Sequence, residues 1–574
     1  MKMRLPFVFL LCFPAFLIAQ DHPQDYFRYP LDLSPSLSGT FAEVRSNHFH
    51  SGIDLRTAGR IGAPVHAAGP GYVSRIKVSS SGFGRALYLR HPNGYTTVYA
   101  HLHRFNEELE AFLKKRQAAL HQNEVDLYLG PEDFAYEKGA MVALSGNSGS
   151  SGGPHVHFEI RDSQTQEIIN PLLFGFAVTD KRRPTLEELS VYEYRGSELV
   201  GNRHFRLQGE KGGQYYLTGD GIVTVQHTPA FGIETFDRLN GAPNHNGPYR
   251  IEMYLAGELC YRFTARRFAF SETRFANAHI DYSQAECCGE RFQRLYRLPY
   301  NKFSAYEQTP VMHLPQLPPD SLVPVRVEVS DLAGNTAQLH FKVQQKAAPQ
   351  PPQTPPKPDL PRLAPEAASG FKKENIAFHL PPKAVYQPAY LEHQVDTTGP
   401  EAWLSPIHQV GSPLIGLHRS FELGLRLKTA VREQNLPRAK MGLVRLNEEG
   451  ELAEYLPGSY RDGFVYARNR QLGRYAVGLD TVPPQITGRQ PGLGQVLKEG
   501  QMLTISVADD KSGIEAYNAW VDDTWVRLYY DAKADRLLLR AEDLPNVSGT
   551  TNLRLVLRDA EGNRQEKFLP VLRP

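Results

Sequence analysis

Cysteines, long hydrophobic runs and any surplus of charge are scarce in this chain, and each scarcity excludes something. Lys and Arg total 64 against 62 Asp and Glu, a formal net charge of +2, so no strongly basic surface is available for nucleic acid. Neither a phosphate-cradling glycine loop nor a basic stripe interleaved with aromatics is present. Beyond the first twenty residues no stretch approaches about eighteen uninterrupted apolar residues, which excludes a helical membrane span from the mature chain. Four cysteines in 574 residues cannot build a disulfide scaffold, and without a Cys-x-x-Cys pair they give no thiolate metal site.

Residues 1–20 read as an export signal: Lys2 and Arg4 precede an apolar run from Leu5 to Ile18, and Ala19-Gln20-Asp21 offers a cleavage point. Cys12 lies inside that run rather than after a lipobox, which disfavours a lipid anchor. The expected location is therefore exported, periplasmic or extracellular. Cys260, Cys287 and Cys288 remain after cleavage. Adjacent cysteines join each other only with strain, so the expected bridge links Cys260 to one of the pair.

A chain of this length needs several cores. The expected fold is mainly β. Val325, Val327 and Val329 alternate with polar residues, turn at Asp331-Leu332-Ala333-Gly334-Asn335 and return through Leu339, Phe341 and Val343. The same grammar recurs where Leu553, Leu555 and Leu557 lead into Asp559-Ala560-Glu561-Gly562-Asn563. Both hairpins look like those of immunoglobulin-like sandwiches. Eight prolines in the seventeen residues from Pro349 to Pro365 favour an extended spacer of about 50 Å at ~3.1 Å per residue. The expected division is residues 21–178 as one domain with a helical insertion at 106–122, a β-sandwich at 179–345, a proline-rich linker at 346–372, a β-rich domain at 373–480 and an immunoglobulin-like sandwich at 481–574.

Nine of the twenty histidines fall between His48 and His157. In a strand, alternate residues share a face, so His155, His157 and Glu159 lie on one side and Val156, Phe158 and Ile160 on the other. Both imidazoles can approach one ion, though only one need bind it. Upstream, His50-Ser51-Gly52-Ile53-Asp54 would hold its two polar side chains about 13 Å apart if extended, so the backbone must turn, and Gly52 makes that easy. Histidine nitrogen and one carboxylate around a divalent cation acidify bound water toward neutrality, which points to metal-assisted hydrolysis.

These motifs resemble the lysostaphin/LytM-type zinc metallopeptidases, which cut peptide bonds in bacterial peptidoglycan. Asn47-His48-Phe49-His50-Ser51-Gly52-Ile53-Asp54 looks like the first ligand motif; Gly62-Ala63-Pro64-Val65, Gly71-Tyr72-Val73 and Tyr99-Ala100-His101-Leu102 follow in the family's order. Gly146-Asn147-Ser148-Gly149 through Gly153-Pro154-His155-Val156-His157-Phe158-Glu159 resembles its glycine-rich turn and final strand. The resemblance covers roughly residues 40–175. It implies a LytM-like antiparallel sheet, zinc (Zn2+) held by His50, Asp54 and His157, and His155 and His101 as unliganded histidines that act as general base and stabilise the oxyanion. It implies peptidoglycan as partner, with an envelope protein as a further candidate for the β-modules.

Asn106 to Gln122 departs from shorter family members as a helix with Leu109, Phe112, Leu113 and Leu120 near one face, either packed on the surface or bordering the cleft and docking a partner. His66, His91, His103 and His121 match no ligand position; His48, two residues from His50, either lines the site or is purely structural, and Glu159 either orients a histidine or is an ordinary strand-face carboxylate. Gly149-Ser150-Ser151-Gly152-Gly153 satisfies the serine-hydrolase pattern, but Pro154 and a strand follow where that elbow needs a helix. The competing readings are a catalytically idle wall-binding regulator that activates amidases, and an envelope adaptor.

Overall fold

Strands hold 47% of the residues and helices 9%. The computed structural model describes residues 22–209, 212–315, 317–346, 360–400, 402–488, 496–498, 500–545 and 549–573. Residues 1–20, expected to be an export signal, and most of the proline-rich segment lie outside the described residues.

In the first segment, β1 (Leu37–Gly39), β2 (Ile53–Arg56), β3 (Gly71–Val78), β4 (Arg85–Arg90), β5 (Tyr95–Ala100), β6 (Val125–Tyr128) and β7 (His155–Asp162) form an antiparallel path in the order β1-β2-β7-β5-β4-β3-β6. Val156, Phe158 and Ile160 of β7 are fully buried with Ile53, Leu55 and Tyr99, so one face of the sheet is core and the opposite face of β7 is free for polar chemistry. Helix α1 (Glu107–Leu120) starts where the Asn106 side chain accepts the Leu109 amide, and it carries Glu107, Glu108 and Glu110 in its first turn, where the helix dipole favours them.

The face of α1 differs from its expected one. Leu109 and Leu113 are buried, but their buried companions are Glu110 and Gln117, while Leu120 is 45% exposed. The cause is the C-terminal module. Arg527 reaches across to Glu110 Oε1 at 2.8 Å, Gln117 Oε1 at 3.2 Å and Asp543 Oδ1 at 2.9 Å, and Arg85 meets Glu110 Oε2 at 2.5 Å. Beside this ion cluster the Asn123 side chain donates to Tyr517 O at 2.6 Å and accepts from Leu528 N at 2.7 Å. The helix therefore docks a distant part of its own chain.

Residues 185–345 form one eleven-stranded sheet that includes the hairpin of Leu322–Ser330 and Thr336–Gln345. Its core takes in residues of the first segment: Phe41 stacks on Phe268 and Phe49 on Phe303, with ring centroids 4.6 and 4.2 Å apart. Residues 362–480 hold two five-stranded sheets, and the last module holds two four-stranded sheets with the hairpin of Gly549–Asp559 and Arg564–Arg573. Among the described residues no helix is long and apolar enough to cross a membrane.

The expected disulfide is corrected. Cys287 and Cys288 are bonded to each other at the end of the helix Tyr282–Cys288, and Cys260 is free. Cys260 is held in the strand Glu258–Thr264, where its thiol donates to Met253 O across the ladder, away from the exposed helix end.

Burial alone would raise the Glu110 carboxyl, but the Arg85 and Arg527 guanidiniums outweigh it and hold the group at about 2, below its ordinary 4.5. A carboxylate with a depressed folded value stabilises fully above its unfolded value and loses that contribution as pH falls toward the folded one. The difference corresponds to roughly 3 kcal/mol. Arg527→Met leaves Arg85 on Glu110 and is therefore expected to cost only part of this, about 1–2 kcal/mol near pH 6, with the gap to wild type narrowing between about pH 4.5 and pH 2 in equilibrium unfolding. A gap independent of pH would assign the loss to packing instead.

Candidate metal centre

The register of β7 against β2 sets His157 opposite Asp54 and Phe158 opposite Ile53. On its other side His157 lies opposite Ala100, which delivers His101 to the same end of the sheet. His50 arrives on the segment that crosses β7 at Gly52. A Cβ at that position would lie 2.4 Å from Phe158 O and 2.9 Å from His157 Cε1. The glycine is required for this close approach, a constraint beyond the turning that its spacing suggested.

Three acceptor atoms converge here. His50 Nε2 lies 2.9 Å from His157 Nδ1 and 3.0 Å from Asp54 Oδ1, and His157 Nδ1 lies 3.1 Å from Asp54 Oδ1. The far nitrogens are committed elsewhere: His50 Nδ1 faces Thr40 O at 2.8 Å, and His157 Nε2 faces Glu159 Oε1 at 3.1 Å. A carbonyl and a carboxylate can only accept, so those far nitrogens carry the hydrogens and the near nitrogens turn lone pairs toward each other and toward Asp54. Such a trio is stable only around a cation. His50, Asp54 and His157 could bind a metal ion, and the donor set of two imidazoles and one carboxylate suits zinc. Without a metal a proton takes that place: burial opposes the charge on His157, but its hydrogen bonds to Asp54 and Glu159 prevail and raise it to about 9. Burial lowers His50 to about 4, while Asp54, despite burial, is held well below its ordinary value by His50, His155 and His157.

His155 and His101 stand beside the trio with ring centroids 4.8 Å apart. His155 Nδ1 faces Gly153 O and His101 Nδ1 faces Ser148 O, each at 2.8 Å. His155 Nε2 is buried and finds no hydrogen-bond partner among the described residues; Asp54 Oδ1 lies 3.4 Å from it. His101 occupies the left-handed region with φ 59, and burial together with the charges of His157 and His155 lowers it to about 3. The loop that supplies Ser148 O is braced by the C-terminal module, since Lys533 Nζ donates to Asn147 O at 2.5 Å and Ser151 O at 3.1 Å.

All five expected site residues are thus brought together, and Glu159 orients His157. Glu159 is fully buried and is itself held by Arg161, Nε to Oε2 at 2.6 Å. His48 is exposed and turns to Ser46 O. His91 is buried between Pro70 O and Thr97, and His121 stacks on Trp525. Ser151 Oγ donates to Gly153 O behind His155, on the Nδ1 side of that ring. Arg45 escaped the sequence reading: it pairs with Asp54 Oδ2 at 2.5 Å, and the room for this pair comes from Gly39, whose Cβ would lie 2.3 Å from the guanidinium. No periodicity marks an arginine nine residues from its partner. Arg45, Asp54, Arg56 and His155, with Pro243 and Asn244 of the following module, line a cleft of about 520 Å3.

Residues 48–119 match peptidase family M23, and residues 362–480 match the Zu5-like domain. The segment that builds the site is a peptidase family M23 domain. The matched span holds His50, Asp54 and His101; His155 and His157 lie beyond it and join through the sheet register. An uncharacterized metalloprotease of Haemophilus influenzae is 31% identical over 151 residues, 25% of this chain and 26% of that protein. Peptidoglycan DD-endopeptidase ShyA of Vibrio cholerae is 29% identical over 139 residues, 23% of this chain and 26% of that protein. The chain therefore spans about a quarter of the length of these relatives. The catalytic domain of the prophage-encoded M23 protein EnpA from Enterococcus faecalis is 25% identical, covering 27% of this chain and 97% of that one with a TM-score of 0.19.

Metal analysis of the purified protein is expected to find about one ion per chain at this site, with affinity at least about tenfold weaker in His157→Ala and in Gly52→Ala, which removes no ligand. His48→Ala should bind as wild type does. Full occupancy in Gly52→Ala would show that the close approach at Phe158 does not set the site.

Proposed function

We propose that this protein is an exported zinc-dependent metalloendopeptidase that hydrolyses peptide bonds of bacterial peptidoglycan, in cross-links or stem peptides. The observation that carries the reading is the pairing of a three-acceptor cation site with a buried, unpartnered imidazole nitrogen on His155 beside it. The naming of a peptidoglycan endopeptidase among the relatives supports the substrate class. An idle regulator would have no use for that free nitrogen at the mouth of an intact ligand set.

Zinc held by His50, Asp54 and His157 would supply a Lewis acid for the scissile carbonyl and acidify the attacking water. The chain's residues do the rest. Because Nδ1 of both His155 and His101 faces a backbone carbonyl, each neutral ring presents Nε2 as a lone pair and must take a proton before it can give one. His155, with Nε2 nearest Asp54, takes the proton from water and returns it to the leaving amine. His101 forms the opposite wall and offers its Nε2 lone pair to the second proton of the attacking water; in taking it, the ring becomes a donor to the charge developing on the carbonyl oxygen. Glu159 keeps the His157 tautomer that leaves Nδ1 free for the metal.

Purified peptidoglycan digested with wild type should yield fragments whose masses identify a hydrolysed peptide bond. His155→Ala and His101→Ala should retain metal yet lose about 10²- to 10⁴-fold in rate. Equal rates in all three proteins would overturn the assignment of roles, and no cleavage by metal-loaded wild type would overturn the activity.

A further inference from the structure

A second cluster of acids lies at the root of the loop that walls the cleft. Asp180 follows the M23 domain, Asp237 ends the strand Thr228–Phe236, and Asp331 opens the hairpin turn; one oxygen from each lies within 4.8 Å of the others. Asp237 and Asn246 exchange both backbone hydrogen bonds, each 2.8 Å, so their side chains project from the same face of the ladder. They are 3% and 2% exposed. Asp237 Oδ1, Asp180 Oδ2 and both polar atoms of the Asn246 side chain are buried and find no hydrogen-bond partner among the described residues. A buried amide left unpaired on both ends beside unneutralised carboxylates is costly unless something occupies the space between them.

The donors that do reach the cluster are few. Asn335 gives its backbone and side-chain N–H to Asp331 at 2.8 and 2.6 Å, the Arg182 amide reaches Asp180 Oδ1 at 3.0 Å, and the Arg238 amide reaches the Asp237 carboxyl, while the Arg182 side chain, whose charge also acts on Asp237, is exposed. Burial and the neighbouring Asp331 and Asp180 push the Asp237 carboxyl up to about 7. The last module repeats the frame with Asp480, Asp509 and Asp559, and its Asn563 bonds Asp559 as Asn335 bonds Asp331, at 2.8 and 2.7 Å. There the protein supplies more of the partners: Ser512 donates its amide and hydroxyl to Asp480, Lys511 and Gly513 donate amides to Asp509 Oδ2, and the Lys440 ammonium contacts Asn563, leaving Asp509 Oδ1 as the one unpaired oxygen of that trio among the described residues.

We propose that Asp180, Asp237 and Asp331, with the amide oxygen of Asn246, form a calcium site that fastens the loop at residues 238–245 against the M23 domain. An all-oxygen donor set selects a hard cation, and oxygens spread over distances up to 4.8 Å suit calcium, with ligands at about 2.3–2.6 Å, better than the tighter octahedron of magnesium. Between Asp237 and Asn246, Leu239 and Ala242 pack into the M23 core, and Asn244 accepts from Arg56 at 2.8 Å at the cleft wall. The cation would thus set the position of a wall of the substrate cleft from outside it.

Equilibrium dialysis of the full chain against calcium tests this, together with thermal unfolding and amide hydrogen exchange with calcium or magnesium. Wild type and His157→Ala should each bind one calcium, gain thermal stability and slow exchange at residues 238–245. Asp237→Asn combined with Asp180→Asn should bind at least about tenfold more weakly and show neither response. The His157→Ala arm separates this site from the first, so the outcome does not depend on peptidase activity. No calcium bound by wild type at millimolar concentration, a response to magnesium equal to that to calcium, or undiminished binding in the double variant would overturn it.

Discussion

The antiparallel register of β2 on β7 is the constraint on which the site depends. It sets Asp54 opposite His157, while the period of two in β7 keeps His155 and Glu159 on the same face. A slip of one residue would turn all three polar side chains into the core and Val156, Phe158 and Ile160 out of it. The register is therefore enforced by burial of those three apolar residues, which are fully enclosed. The apolar face that folds the strand and the polar face that serves the chemistry are two sides of one alternation.

The site is held from outside its own sheet as well. Phe49, next to His50, stacks in the core of the following module, and the strand Ile168–Ile169 continues the sheet into Arg267–Phe268. Lys533, almost four hundred residues downstream of the glycine-rich loop, braces the carbonyls around Ser148. The positions of His50 and His101 are thus coupled to modules that carry no part of the ligand set. Buried charge gives this coupling its specificity: Arg527 finds partners only where Glu110, Gln117 and Asp543 meet.

Much of this was legible in the chain. The alternation His155-Val156-His157-Phe158 and the spacing to Asp54 declared a polar face and a turn, and the valine and leucine alternations declared the two hairpins. The candidate histidines were legible because metal chemistry demands a particular residue type at a particular place. Long-range partnership was not. Helix α1 shows an apolar stripe, yet Glu110 and Gln117 are buried because a module four hundred residues away presents an arginine, and no local pattern records that. Arg45 escaped because a tight local hairpin, not a periodicity, brings it to Asp54, and the Cys287–Cys288 bond because strain arguments disfavour adjacent pairs. The spacing around Gly52 signals only a turn, whereas the backbone of Phe158 leaves room for no side chain there.

The central claim is that the β2–β7 register gathers two imidazoles and one carboxylate around a zinc ion while His155 stays unliganded. X-ray absorption at the zinc edge of the purified protein tests it most directly. The account predicts a four-coordinate site of light atoms at about 2.0–2.1 Å, with two imidazole scattering patterns and a spectrum unchanged in His155→Ala. A sulfur ligand, a third imidazole that vanishes in His155→Ala, or a six-coordinate shell of oxygens would contradict it.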